Sequence, residues 1–137
     1  MSEADNQLIR ALAEALNDEP QVLAAYHFGS SSDGTAHASS DVDVGVLFGT
    51  NVPLEELIRI EGRLNEVIRP TVDLVDVKRA RAFVALEIIR GERFFCRNET
   101  AADEFDLYVL RRAGDLEYFE RERRAFFLDS PFSAGVK

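Results

Sequence analysis

The chain has 137 residues, 46% hydrophobic and 30% charged, which is the balance of one ordinary folded domain and not of a disordered segment. Its formal net charge of −9 argues against direct nucleic-acid binding, which needs clustered Lys and Arg. No apolar run nears the roughly 20 residues that cross a bilayer, the opening MSEADNQ is too polar and acidic for a signal peptide, and the single Cys96 excludes an internal disulfide and suits a reducing cytoplasm.

Ser2 to Asp5 fits a helix-start capping box, and Leu8, Leu12, Ala15 and Leu16 follow at helical spacing until Pro20. Val22 to Phe28 (VLAAYHF) is expected to be a buried strand. Gly29 to Ser40 is small, polar and without periodicity, hence a loop. Asp41 to Phe48 (DVDVGVLF) alternates, with Val42, Val44, Val46 and Phe48 on one face and Asp41 and Asp43 on the other. Pro53 to Ile68 is expected to be a helix, its stripe formed by Leu54, Leu57, Ile58, Leu64, Val67 and Ile68. Thr71 to Val77 is a third strand. Arg79 to Arg90 is a third helix with Ala82, Phe83, Leu86 and Ile89 inward and Gly91 as its stop. Arg93 to Arg97 (RFFCR) is a fourth strand, with Cys96 as a small core or edge residue and not a nucleophile. Thr100 to about Leu128 is helical, with a break expected near Gly114. Alternating helices and strands predict an α/β fold, a mostly single sheet with helices packed on it. With no repeat or linker, residues 1–137 are expected to be one domain with a helical C-terminal extension over about 100–128.

The chemistry concentrates in FGSSSDGTAHASSDVDVGVLF. Asp41 and Asp43, two residues apart on a strand, point the same way roughly 7 Å apart along the backbone. Two such carboxylates repel, and a divalent cation relieves the repulsion; Mg²⁺ prefers hard oxygen ligands and completes its shell with water and phosphate. A lone D-x-D is more often a solvated strand face. Gly29-Ser30 follows an apolar strand directly; the glycine permits a close backbone approach, and the serine hydroxyl and N–H groups can meet phosphate oxygens. Alone this is an ordinary turn. Asp73, between Val72 and Leu74, is a third strand carboxylate able to join a two-metal site or help deprotonate a hydroxyl, or else a surface residue. Asp76 is out of phase with Asp73 and is left out of the site. His27, between Tyr26 and Phe28, is read as a packed residue and His37 as a solvated loop residue.

Together these features read G-S, ten residues, D-x-D, then a later strand carrying Asp. This resembles the nucleotidyltransferase superfamily of the DNA polymerase β type, and the segments YHFGSSSDG, SSDVDVGVLF and VDLVDVKRA with the helix into RFFCR are similar to the minimal nucleotidyltransferase (MNT) antitoxins paired with HEPN-domain toxins. The resemblance covers about Val22 to Arg124. It implies a polymerase-β-like fold, a mixed sheet flanked by helices with a helical C-terminus. It implies that Gly29 and Ser30 hold the triphosphate, that Asp41 and Asp43 ligate Mg²⁺, and that Asp73 is the third metal-site acid. The implied activity is transfer of AMP from ATP to a tyrosine hydroxyl of a cognate HEPN ribonuclease toxin, neutralising it. The family's basic residues after Gly-Ser are replaced here by Ser31, Ser32 and Asp33 before Gly34, so either nucleotide affinity is expected to be weaker or the charge is supplied from elsewhere, such as Lys78, Arg79 or Arg81. The departure keeps two alternatives in view: an antitoxin that neutralises its toxin by binding alone, and a small-molecule nucleotidyltransferase.

Of sixteen Lys and Arg residues only Arg10 and Arg59 precede Arg63, so the last third is expected to present a locally basic face. There Phe105, Tyr108, Val109, Leu116 and Phe119 recur at roughly helical spacing among Arg111, Arg112, Arg121, Arg123 and Arg124. Phe126, Phe127 and Leu128 cannot all face one core from a helix. Aromatic and Arg residues are enriched in interface hot spots. This region is expected to dock the toxin or a second copy of the chain as a homo-oligomer, unless it folds back on its own domain.

Overall fold

The runs richest in Val, Ala and aromatic residues form a four-stranded sheet, and the helices between them cover both of its faces. The computed structural model describes residues 3–29 and 41–129, with the side chains of Ala4 and of the residues beyond 114 excepted. In chain order the elements are α1 (Glu3–Asn17), β1 (Val22–Phe28), β2 (Val42–Phe48), α2 (Leu54–Val67), β3 (Val72–Asp76), a short 3-10 helix (Val77–Arg79), α3 (Ala82–Arg90), β4 (Glu92–Cys96) and α4 (Glu99–Asp129). The strands lie in the order β3-β2-β1-β4. β2 and β3 are parallel, whereas β1 runs antiparallel to both β2 and β4. The mixed sheet flanked by helices expected from the motifs is therefore the fold observed.

Strand alternation sorts the apolar side chains into two cores. Val42, Val44, Val46, Val72 and Leu74 pack with Leu12 and Leu16 of α1 and Ile60 and Leu64 of α2. On the opposite face Tyr26, Phe28, Leu47 and Val77 pack with Ile88 of α3 and Ala102 of α4. α4 is held there by polar contacts as well. The Tyr26 hydroxyl donates to Asp106 Oδ1 at 2.7 Å, and Arg93 Nη2 donates to Asp106 Oδ2 at 2.6 Å.

Two helix phases differ from expectation. In α2 the buried residues are Ile60 and Leu64, while Leu54, Ile58 and Val67 are exposed. In α3 Ala82, Ala85 and Ile88 are buried and Phe83 is exposed. Both helices carry apolar residues around more than one stripe, so spacing alone left the phase open. Small Ala82 and Ala85 let the α3 backbone come close to the sheet, which a Phe83-inward phase would prevent. α4 runs through Gly114 without a break. A helical glycine costs about 1 kcal/mol relative to alanine but keeps its N–H, so the hydrogen-bond ladder continues. Gly91 does stop α3, through close approach: a Cβ there would collide with the His27 carbonyl oxygen of β1. Cys96 is half-buried on edge strand β4. Among the described residues no helix is long and apolar enough to cross a membrane.

At the far end of the sheet a charged cluster joins α1 to α2. Glu19, its side chain 5% exposed, accepts from Arg59 Nη2 at 2.5 Å and Arg63 Nη1 at 2.8 Å. Arg97 Nη2 donates to the carbonyl of Asn17 at 2.9 Å, satisfying the end of α1.

Candidate functional site

Because Val42 and Val44 face the α1/α2 core, Asp43 between them projects to the α3/α4 side of the sheet. On parallel β3, Asp73 lies in register with Asp43, its strand neighbour and so about 4.8 Å away at the backbone. On the other side, Phe28 of β1 pairs with Asp43, which places Gly29 directly at the carboxylate. Gly29 has φ +87°, and a Cβ there would run into Asp43 Oδ2. Both the backbone turn and the close approach therefore require glycine. Asp41 lies just ahead of β2 and is exposed, as is Asp73, while Asp43 is half-buried.

Among the described residues the charges around Asp43 are mostly acidic. Burial pushes the Asp43 carboxyl above its ordinary value, and the nearby negative charges of Asp73, Asp41 and Glu87 add to the rise, against a smaller opposing effect from His27. Glu87 of α3 is a contributor that the sequence reading did not single out; only the packing of α3 across the sheet brings it near, and no local pattern marks it. His27 is buried, and burial holds its imidazole below the ordinary value, with Glu92, Asp43 and Asp5 opposing. It is a core residue, as expected. Asp76, set aside by its phase, is buried and structural: Oδ1 accepts from the Lys78 N–H at 3.1 Å and Oδ2 lies 3.6 Å from Arg79 Nε.

Four of the five expected site residues, Gly29, Asp41, Asp43 and Asp73, thus meet at one end of the β1–β2–β3 segment. Ser30 lies outside the described residues, together with Ser31, Ser32, Asp33, Gly34 and His37. The substitute phosphate cations do not join the group. Lys78 and Arg79 follow the opposite end of β3, which lies about 10 Å from Asp73 by strand rise. The Arg79 guanidinium is engaged by the Val52 carbonyl oxygen at 2.7 Å. Arg81 caps the far end of α3, where it is exposed.

The donor set suits Mg²⁺. The oxygens are hard, and mutual repulsion among Asp41, Asp43 and Asp73 is what a divalent cation would relieve. Among the described residues no three His, Cys, Asp or Glu side chains converge into a closed cluster.

Over 134 residues the chain is 25% identical to protein adenylyltransferase MntA of Shewanella oneidensis, covering 97% of this chain and 91% of the relative. The fold matches a crystal structure of a toxin–antitoxin with AMP-PNP at a TM-score of 0.70 and 23% identity, over 88% of this chain and 96% of the other. It also matches the structure of a tri-AMPylated Shewanella oneidensis HEPN toxin in complex with MNT antitoxin, at a TM-score of 0.67 and 19% identity, over 90% and 96% of the two chains. The resemblance to minimal nucleotidyltransferase antitoxins seen in the motifs thus extends to the whole chain. The model of the family described as polymerase beta, nucleotidyltransferase matches residues 10–100, which takes in every strand and all of the site carboxylates, and the chain belongs to the polymerase beta nucleotidyltransferase family.

Proposed function

We propose that the chain is a cytoplasmic antitoxin that transfers AMP from ATP to a tyrosine hydroxyl of a cognate HEPN ribonuclease toxin and so neutralises it. The observation that carries the reading is the register of Asp43 with Asp73 beside a glycine that only a bare backbone can occupy. The MntA relative and the AMPylated toxin complex support the acceptor class.

Gly29 leaves room for a phosphate to approach the backbone, and Ser30 supplies a hydroxyl donor to the triphosphate. Asp41 and Asp43 would hold Mg²⁺, which would supply positive charge to offset that of the triphosphate and of the oxygens on which charge develops. Asp73 orients the acceptor hydroxyl and takes its proton. The hydroxyl oxygen forms a bond to the α-phosphorus as the bond from that phosphorus to the β-phosphate bridging oxygen breaks, and pyrophosphate leaves. The added AMP carries negative charge and bulk to the toxin, enough to obstruct an RNA site.

The test is labelled ATP with purified toxin. Label should appear on the toxin with the wild-type chain and disappear with Asp41→Asn/Asp43→Asn, and a toxin lacking the acceptor tyrosine should stay unlabelled. Full labelling by the double variant would refute the assignment. The replacement of the family's arginines by Ser31, Ser32 and Asp33 favours a second reading, neutralisation by binding alone. Equal inhibition of toxin RNA cleavage with and without ATP would establish it.

A further inference from the structure

The 3-10 helix, α3 and α4 enclose a half-open cavity of about 350 Å³, within the range of sites that seat a ligand or a partner's side chain. Val77 and Val109 form part of its apolar lining, Phe105 and Tyr108 its aromatic walls, and Lys78 and Arg112 its cations. Tyr108 remains 53% exposed, and α3 and α4 also leave Phe83, Leu107 and Leu110 about half exposed. Among the described residues neither the Lys78 ammonium nor the Arg112 guanidinium has a carboxylate partner, although the chain as a whole is strongly acidic; Arg112 instead lies over the Tyr108 ring at 5.8 Å. An apolar hollow flanked by a lysine and an arginine is complementary to an apolar side chain flanked by carboxylates.

We propose that this groove docks an acidic amphipathic segment of the partner toxin, with an apolar side chain in the hollow and carboxylates on Lys78 and Arg112. The proposal rests on the function given above and deepens it. The groove opens on the same side of the sheet to which Asp43 and Asp73 project, and Val77 follows Asp73 by about 13 Å along β3, or roughly two and a half helical turns. A segment seated there lies within reach of the carboxylates, so docking would bring the acceptor hydroxyl to them.

The experiment measures toxin affinity by calorimetry for the full chain, for Lys78→Glu/Arg112→Glu and for Tyr108→Ala, with ATP affinity and thermal unfolding measured on each. The charge-reversal variant should bind toxin at least about tenfold more weakly, and Tyr108→Ala about tenfold more weakly, while both keep wild-type ATP binding and unfolding. Added salt should weaken the wild-type complex more than that of the charge-reversal variant. Unchanged toxin affinity in both variants would overturn the groove while leaving the transferase reading intact. No toxin binding by the wild type would overturn both. ATP or AMP binding lost by Lys78→Glu/Arg112→Glu would make the occupant a nucleotide, and a wild-type dimer that the same variant dissociates would make it a second copy; either result overturns the proposal.

Discussion

Glu19 and Asp43 are both carboxylates drawn out of water, and their acidities move in opposite directions. Burial raises both. Around Glu19 the guanidinium groups of Arg59 and Arg63 outweigh burial and hold its carboxyl below the ordinary value. Around Asp43 the strongest charged neighbours are the acids Asp73 and Asp41, which outweigh the opposing His27, so burial and repulsion act together. One cluster is complete within the chain and joins α1 to α2. The other is left with an excess of negative charge on the sheet face where the family motif falls. A fold retains such an imbalance where something from outside completes it.

The largest effect that would sharpen this contrast is on activity. Asp41→Asn/Asp43→Asn should lower AMP transfer at least about 100-fold while leaving the folded structure unchanged by circular dichroism, because the substitution removes metal-binding charge without leaving a buried ion unpaired. Glu19→Gln should do the reverse. Losing two charged hydrogen-bond partnerships should cost about 1–3 kcal/mol in urea unfolding, with ATP affinity unchanged, since Arg59 is half exposed and can return to water. If Glu19→Gln also impaired nucleotide binding, the two clusters could not be separated into a structural one and a functional one.

Gly29→Ala should combine both kinds of loss at smaller scale. Forcing a side chain into φ +87° costs roughly 1–2 kcal/mol, and the new methyl group displaces the Asp43 carboxylate. Weaker ATP binding together with lower stability would be the signature, and loss of stability alone would mean that Asp43 can move aside freely.

The smallest effect is on pH dependence, and its sign follows from the shifts. Asp43 has a folded-state pKa above its ordinary 3.8, so the folded chain holds that proton more tightly than the unfolded one. Its penalty is therefore absent below 3.8, grows as pH rises through the raised value, and is complete above it. Metal-free Asp43→Asn should be at least as stable as wild type at pH 7, with the difference closing as the solution is acidified. Glu19 contributes stability that is present above its ordinary 4.5 and is lost as pH falls through its lowered value. Thermal unfolding of Asp43→Asn and Glu19→Gln across pH 3 to 7 should thus show their differences from wild type both shrinking toward acid, with opposite signs. A metal-free Asp43→Asn less stable than wild type at pH 7 would show that the aspartate makes compensating contacts.

The sequence by itself determined the strands and the face of β2 on which the aspartates lie. Period-two alternation in DVDVGVLF fixes Asp41 and Asp43 on the face opposite Val42, Val44 and Val46 whatever the neighbours are, and Gly29 directly after an apolar strand marks a turn. Those are local properties, set by backbone geometry over a few residues. Tertiary structure decided what local pattern cannot carry. The phases of α2 and α3 depended on which of several apolar stripes met the sheet. The distance of Lys78 and Arg79 from the acids depended on the direction of β3. The position of Glu87 depended on how α3 crosses β1 and β2. The register that sets Asp73 beside Asp43 joins residues thirty positions apart, and it was reached only when two parallel strands paired through their own hydrogen bonds.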